Sequence, residues 1–364
     1  MSFTTKPEKT FDIVAMINDA LERALRERGL ANIIIAGKTG VGKSTLVNAV
    51  FQGRMAETGQ GRPVTKHTRK ITKQGVPVSI YDTMGLELKD YEPILLELMN
   101  FIESTNRDPE PTKHIHVAWV CIAEGSRRVE DAETLLVKAL SKQMPVVVVI
   151  TTANADNGFR SHVEKLLPEA ANVVRVNSLG QLLDGGVTIP PHGLERLVEV
   201  TMEVIPDGQK KAFVAAQRVK TSLKVNQSHK IVAAAAVSAA GIGALPIPFS
   251  DAIGIIPVQI AMLASISAVF GLDIDKAFMS TVLASVFSVT LGTVGGKALV
   301  GALLKFVPGA NLVGMVISGG VAAAATTFIG SAYIATLSTL LTEAPDRDLS
   351  AADVSAAFKR KLAG

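Results

Sequence analysis

The chain has 364 residues, 48% of them hydrophobic and only 19% charged, with a formal net charge of +4. That length exceeds one ordinary core and points to more than one domain; so small a net charge gives no general attraction for nucleic acid, and no nucleic-acid partner is expected. The single cysteine, Cys121, excludes an intrachain disulfide and fits a reducing, cytoplasmic setting, and residues 1–12 lack the apolar core of a signal peptide.

In chain order, the stretch Thr10–Arg28 sets Phe11, Val14, Ile17, Leu21 and Leu25 at helical spacing. This predicts an amphipathic helix within residues 1–29. Asn32–Ala36 reads as a short buried strand and Thr45–Phe51 as a helix. Between them stands Gly37-Lys38-Thr39-Gly40-Val41-Gly42-Lys43-Ser44. Glycines at those places let backbone N–H groups converge on a phosphate, and the following helix adds its positive end. Lys43 is then set to reach β/γ oxygens and Ser44 to bind Mg²⁺, with Thr45 completing the first turn.

Further strands are expected at Arg69–Thr72, Val76–Asp82, Ile115–Ala123, Pro145–Thr151 and Asn172–Val176. Helices are expected at Tyr91–Ser104, Arg127–Lys142, Arg160–Glu169 and Gly193–Ile205. Their alternation predicts an α/β fold: a doubly wound, mainly parallel sheet of P-loop NTPase type over residues 30–208. The ligand then belongs at the strand C-terminal edge. At that edge Asp82-Thr83-Met84-Gly85 follows an apolar strand, which suits Asp82 to hold Mg²⁺ through water and the Gly85 N–H to meet a γ-phosphate. Thr65, with Thr68 as its competitor, is the candidate switch threonine for metal and γ-phosphate.

The loop Gly37–Ser44, Thr65, Asp82–Gly85 and the strand-end segment Val147–Asn154 together resemble the Era-like and septin-like branches of the translation-factor class of GTPases. The layout as a whole resembles bacterial GTPases fused to an uncharacterised hydrophobic helical domain. More loosely it is similar to immunity-related GTPases, in which helices from both chain ends pack beside the G domain. The resemblance implies GTP/GDP as ligand, Mg²⁺ as cofactor, Lys43, Thr65 and Gly85 as catalytic positions, and self-association or membrane contact as habits of the family. It also places base contacts at Thr152, Asn154 or Asp156, and Asn177-Ser178. Asn154 stands where such GTPases carry the aspartate that accepts from guanine, and an amide lacks that charged bidentate acceptor. Leu86 follows Gly85 where a water-orienting glutamine is common, and Gly40 replaces a potassium-binding asparagine. Slow hydrolysis follows, in the range of roughly 10⁻⁴ to 10⁻² s⁻¹. A G-domain homodimer could supply a missing cation in trans from Arg62, Lys66, His67, Arg69, Arg127 or Arg128.

The second half has different physics. Residues 209–230 carry six cations and no acid, and read as a basic linker helix with affinity for an anionic membrane surface. Residues 231–342 hold only six charged side chains. The uncharged runs 231–250, 252–272, 277–296 and 306–342 are each long enough to span a bilayer core. Their Ala/Gly-rich composition and Pro246, Pro248, Pro257 and Pro308 fit a tight all-α bundle as well as a membrane insertion. A hydrophobic helical domain is therefore expected over 231–345, and Ser350 to Asp353 opens a final amphipathic helix within 346–364. The combined expectation is a slow GTP-dependent switch at the cytoplasmic face of a membrane. A nucleotide-binding assembly scaffold and a nucleotide-gated membrane-disrupting effector are its alternatives.

Overall fold

The computed structural model describes residues 12–52, 55, 62–63, 65–83, 91–182, 185–243, 250–291, 319–344 and 348–363. Seven strands form one sheet in the order β2-β3-β4-β1-β5-β6-β7. They are β1 (Ala31–Ala36), β2 (Arg62–Pro63), β3 (Thr68–Thr72), β4 (Val78–Thr83), β5 (Val117–Ala123), β6 (Val146–Thr151) and β7 (Asn172–Arg175). The strands β4, β1, β5, β6 and β7 run parallel, and β3 joins β4 antiparallel. The α/β, doubly wound expectation holds, and each expected strand of the first half is present.

Strand alternation sorts the core into two layers. Ile33, Ile35, Trp119 and Cys121 face one side, against Leu46 and Val50 of α2 (Lys43–Val50), Leu197 of α6 (Leu194–Val204) and Phe213 of α7 (Asp207–Ala216). Ile34, Ala118 and Val120 face the other, against α3 (Tyr91–Asn106), α4 (Asp131–Leu140) and α5 (Phe159–Leu166). Phe51 stacks on Trp119 at 5.7 Å between ring centroids, and Phe213 meets Phe51 edge-on at 6.0 Å. The Trp119 indole donates to Thr201 Oγ1 at 3.1 Å, so burying its polar edge costs little. A small hairpin, β8 (Gln181–Leu182) with β9 (Thr188–Ile189), stands apart from the sheet.

The helical half is built from α8 (Thr221–Gly243), α9 (Ser250–Phe270), α10 (Lys276–Leu291), α11 (Gly319–Glu343) and α12 (Ala351–Ala363). Helix α1 (Ile13–Arg28) shares their core through Ile17, Ala20, Leu21 and Ala24. It is no detached N-terminal element, and the stripe expected for it is narrower: Val14 and Leu25 are exposed. Small residues set the spacing. A Cβ on Gly330 of α11 would lie 2.5 Å from Val232 of α8 and 2.9 Å from the Met262 sulfur of α9. Buried hydroxyls close on each other, Ser267 with Tyr333 at 2.7 Å and Ser285 with Ser355 at 2.6 Å. The final helix starts as expected, with the Ser350 hydroxyl and the Asp353 carboxylate capping reciprocally.

The basic segment departs from its expectation. It is two helices with a break at 217–220, and it carries no free cationic face of six charges. Helix α7 belongs to the sheet's core, because Ala212, Phe213 and Ala216 are apolar and spaced to meet it. Lys210 pairs with Asp207, Lys211 with Glu27 and Lys220 with Glu199, while Lys224 is buried. Lys224 Nζ donates to the carbonyls of Ala215 at 2.6 Å and Phe270 at 3.1 Å. Gln52 Nε2, just past α2, donates to the same two oxygens. Two helix C-termini thus present their negative ends to one lysine and one amide, fastening the two halves together.

Among the described residues, one helix, Gly320–Glu343, is long and apolar enough to cross a membrane, and half of its apolar window is buried in the fold. Pro246, Pro248 and Pro308 lie outside the described residues, while Pro257 stands inside α9.

Candidate functional site

The loop 37–44 leaves β1 at the sheet's C-terminal edge and enters α2 through Gly42, whose φ of 94° is left-handed. Gly37 has φ 140°, and a Cβ there would lie 2.4 Å from the Cys121 carbonyl oxygen of the neighbouring strand. Only glycine lets the loop leave so close to β5. The Val41 carbonyl accepts from the buried Thr151 hydroxyl at 2.6 Å, which ties the loop to the end of β6. Sequence reasoning did not single out Thr151; its position one residue before the base-contact candidates was the available signal.

Lys43 Nζ donates to the carbonyls of Gly37 at 2.7 Å and Lys38 at 2.9 Å. The ammonium therefore sits inside the loop's curl. Ser44 is exposed in the first turn of α2, and Lys38 is drawn aside by Glu130, which also meets Arg128. Asp82 stands at the end of β4. Its Oδ1 is sealed from solvent and has no hydrogen-bond partner. Burial raises its pKa, against the pull of Lys43 and Arg69. A carboxylate so placed gains from a further cation, so Asp82 and the Ser44 hydroxyl form a fitting oxygen set for Mg²⁺.

The register puts Thr68 opposite Thr83 and Arg69 opposite Asp82, so Thr65 lies off the same hairpin end as Asp82. Thr65 Oγ1 accepts from the backbone N–H of Thr68 at 3.0 Å and of His67 at 3.2 Å. Its hydroxyl also bonds Glu97 of α3, and the His67 ring lies 3.0 Å from the same carboxylate. Hydrogen bonds from Thr65 and His67 hold the Glu97 pKa down at about 2. Thr65 is held on α3 here rather than turned to the metal set. Glu97 was missed from sequence because it lies 30 residues from His67 with no motif linking them. Gly85 and Leu86 lie outside the described residues.

At the base side, Thr152 and Asn154 are exposed, and Thr152 has φ 50°. Asn154 N donates to Glu124 Oε2, and Glu124 Oε1 accepts from Arg175 Nε at 2.7 Å. Glu124 is 2% exposed; burial opposes its ionisation, but the Arg175 guanidinium and backbone donors leave its pKa below the ordinary value. This Glu124–Arg175 pair, invisible as a motif, shapes the 152–156 turn. Asp156, the other expected base contact, accepts from Arg160 N at 2.8 Å through its Oδ1 at the start of α5, and that oxygen lies 3.6 Å from Arg175. Arg127, a candidate for action in trans, donates to the carbonyls of Ala155 and Asp156 and covers the Phe159 ring. Asn177 is buried, its backbone bridging to His192, with Ser178 half-buried beside it.

Residues 32–152 match the family described as "50S ribosome-binding GTPase", and residues 207–360 match "Domain of unknown function (DUF697)". The chain is 29% identical over 109 residues to translocase of chloroplast 108 from Physcomitrium patens, a match covering 27% of this chain and 11% of that protein. It is 26% identical over 238 residues to the tRNA modification GTPase MnmE of Cupriavidus pinatubonensis, covering 61% of this chain and 47% of that one. The chain thus spans about a tenth to a half of the length of these relatives. Among solved structures, a probable GTP-binding protein engB aligns with a TM-score of 0.33 at 19% identity, covering 48% of this chain and 98% of its own. The chain joins a GTPase domain of the P-loop class to a C-terminal helical domain of the second matched family.

Proposed function

We propose that the chain binds GTP and Mg²⁺ between the loop 37–44 and Asp82, hydrolyses the nucleotide slowly, and passes its state to the helical half at the cytoplasmic face of a membrane. The observation that carries this reading is the orphaned, buried Asp82 Oδ1 beside a lysine already curled into a glycine-lined loop. A bound magnesium supplies charge neutralisation on the triphosphate oxygens. Lys43 exchanges two neutral carbonyls for charged β/γ oxygens, which accept stronger hydrogen bonds. Gly37, Thr39, Gly40, Gly42, Ser44 and Thr45 offer backbone N–H groups, and Thr152 with Asn154 or Asp156 meets the base. Gly85 is assigned the γ-phosphate.

The route to the helical half is the β3–β4 hairpin. Thr65 and Asp82 lie at one end of it. At the other end Gly75 packs on Asp273, a Cβ there falling 3.0 Å from the Asp273 Cβ, and Lys73 stands 3.6 Å from Asp348. When Thr65 leaves Glu97 for the metal set, the hairpin carries that shift to the 271–275 connection and to Asp348. Homodimerisation through G domains would bring a second copy's cation to the γ-phosphate. The long apolar helix Gly320–Glu343 supports a membrane role, as does the word translocase in the name of one relative.

Magnesium-dependent binding of a fluorescent GTP analogue, compared with Lys43→Ala, tests the core of the proposal. Loss of about 10- to 100-fold in affinity is expected for that variant. Equal affinity in both proteins, or none in either, overturns it. Single-turnover hydrolysis across protein concentration reads the dimer, and co-sedimentation with anionic vesicles in GDP and in a non-hydrolysable GTP analogue reads the membrane.

A further inference from the structure

A groove runs between α1, α8 and α9, and none of the residues lining it belongs to the nucleotide loop. It consists of two adjoining cavities of about 380 and 220 Å³ that share Ile231, Ala234 and Ser265. Together they follow α1 from Met16 to Arg28, or about 18 Å at 1.5 Å per residue. Alanines at 20, 234 and 261 keep the helices close without filling the space between them. Midway, Asp19 and Arg23 neutralise each other at 2.8 Å.

The end at Arg28 is different. Its Nε and Nη1 are sealed from solvent and have no hydrogen-bond partner. Lys211 lines the same cavity, joined to Glu27 across 3.8 Å in a half-exposed pair of small worth. Wholly buried Lys224 stands near enough to Arg28 for their charges to repel, and Asp273 is the carboxylate that acts on Arg28. Arg28 and Lys211 stand where the groove ends, with Glu27 and Asp273 as their carboxylates, and two of the Arg28 nitrogens keep no acceptor. A buried cation without its full set of acceptors is costly, and an anion arriving there repays that cost.

We propose that this groove binds an anionic single-chain amphiphile, its acyl chain laid along the apolar stretch and its phosphate head at Arg28 and Lys211. The apolar lining selects the tail, and the unpartnered guanidinium nitrogens of Arg28 select the head. The site uses no residue of the nucleotide loop, so it stands or falls separately from the GTPase reading.

The test is fluorescence titration of the full-length chain with a tagged lysophosphatidic acid. Lysophosphatidylcholine, an uncharged monoacylglycerol and inorganic phosphate are the comparison arms. Saturable binding of the lysophosphatidic acid is expected, with the three others weaker by about tenfold or more. Ala234→Trp fills the groove and is expected to abolish binding of every tailed probe. Arg28→Met is expected to weaken the acidic probe about tenfold and leave the monoacylglycerol unchanged. GTP affinity and far-ultraviolet circular dichroism report whether each variant is folded; Ala261→Leu is the milder replacement if Ala234→Trp is not. A diazirine-tailed lysophosphatidic acid on the unaltered chain adds a readout free of mutation, with labels expected on α1, α8 and α9. Equal affinity for the choline-headed probe, displacement by phosphate alone, an unaffected groove-filled variant, or labels elsewhere would each overturn the proposal.

Discussion

The two halves bury their apolar residues by different rules. In the sheet half, bulky side chains such as Ile33, Trp119 and Phe213 fill space between layers that hydrogen bonds have already positioned. In the helical half, no ladder fixes the distance between α8, α9 and α11; the size of Gly330, Ala235 and Ala264 does. The sheet half is therefore expected to tolerate changes in side-chain volume better than changes in backbone freedom, and the helical half the reverse.

The sharpest way to break this contrast is Gly37→Ala. The added methyl must displace the Cys121 carbonyl from 2.4 Å at a φ few side chains adopt. GTP affinity is expected to fall about 10- to 100-fold, equivalent to roughly 1–3 kcal/mol of backbone strain; isothermal titration checks it. Gly330→Leu asks the same of the helical half. Overpacking against Val232 and Met262 is expected to cost about 1–3 kcal/mol in urea unfolding while GTP affinity stays put. A loss of nucleotide binding in that variant would mean that the two halves are one cooperative unit. Tyr333→Phe is smaller. It removes the 2.7 Å bond to Ser267, whose hydroxyl keeps its 2.8 Å bond to the Leu263 carbonyl, for about 1 kcal/mol.

The smallest effect sits at the seam. Burial lowers the pKa of Lys224 well below the ordinary lysine value, with Arg28 adding to the shift. The folded state then binds fewer protons there than the unfolded chain. This group's contribution to stability rises with pH up to the ordinary lysine pKa and is lost as pH falls towards the lowered one. Lys224→Met is expected to flatten that rise, with a net change within about 1 kcal/mol near neutrality because Gln52 still serves both carbonyls. Urea midpoints at neutral and alkaline pH, in both proteins, measure the difference in slope.

What could be read in the sequence follows the same division. The strands were legible because each is a short apolar run closed by glycine, proline or a polar residue, and the loop 37–44 because phosphate binding fixes residue types at fixed spacing. The Thr65–Glu97 bond and the Glu124–Arg175 pair were not, since each joins residues brought together only by the crossover order of the sheet. The basic run 209–230 misled for a related reason. A helix face is charged or buried according to its neighbours, and the partners of Lys211 and Lys220 lie at Glu27 and Glu199. Alanine-rich helices carry a weak stripe, so the sequence left open whether α8 to α11 meet lipid or each other.

The position of α1 has a temporal consequence. During synthesis this helix is made before the sheet, yet the surfaces that cover Ile17 and Leu21 belong to α9 and α10, more than two hundred residues later. The sheet half can close while the helix waits, its apolar side uncovered, and loop closure over that span is slow. Maturation of the nascent chain therefore includes a docking step that joins α1 to helices made more than two hundred residues later, and any factor that holds α1 during synthesis sets when that core is completed.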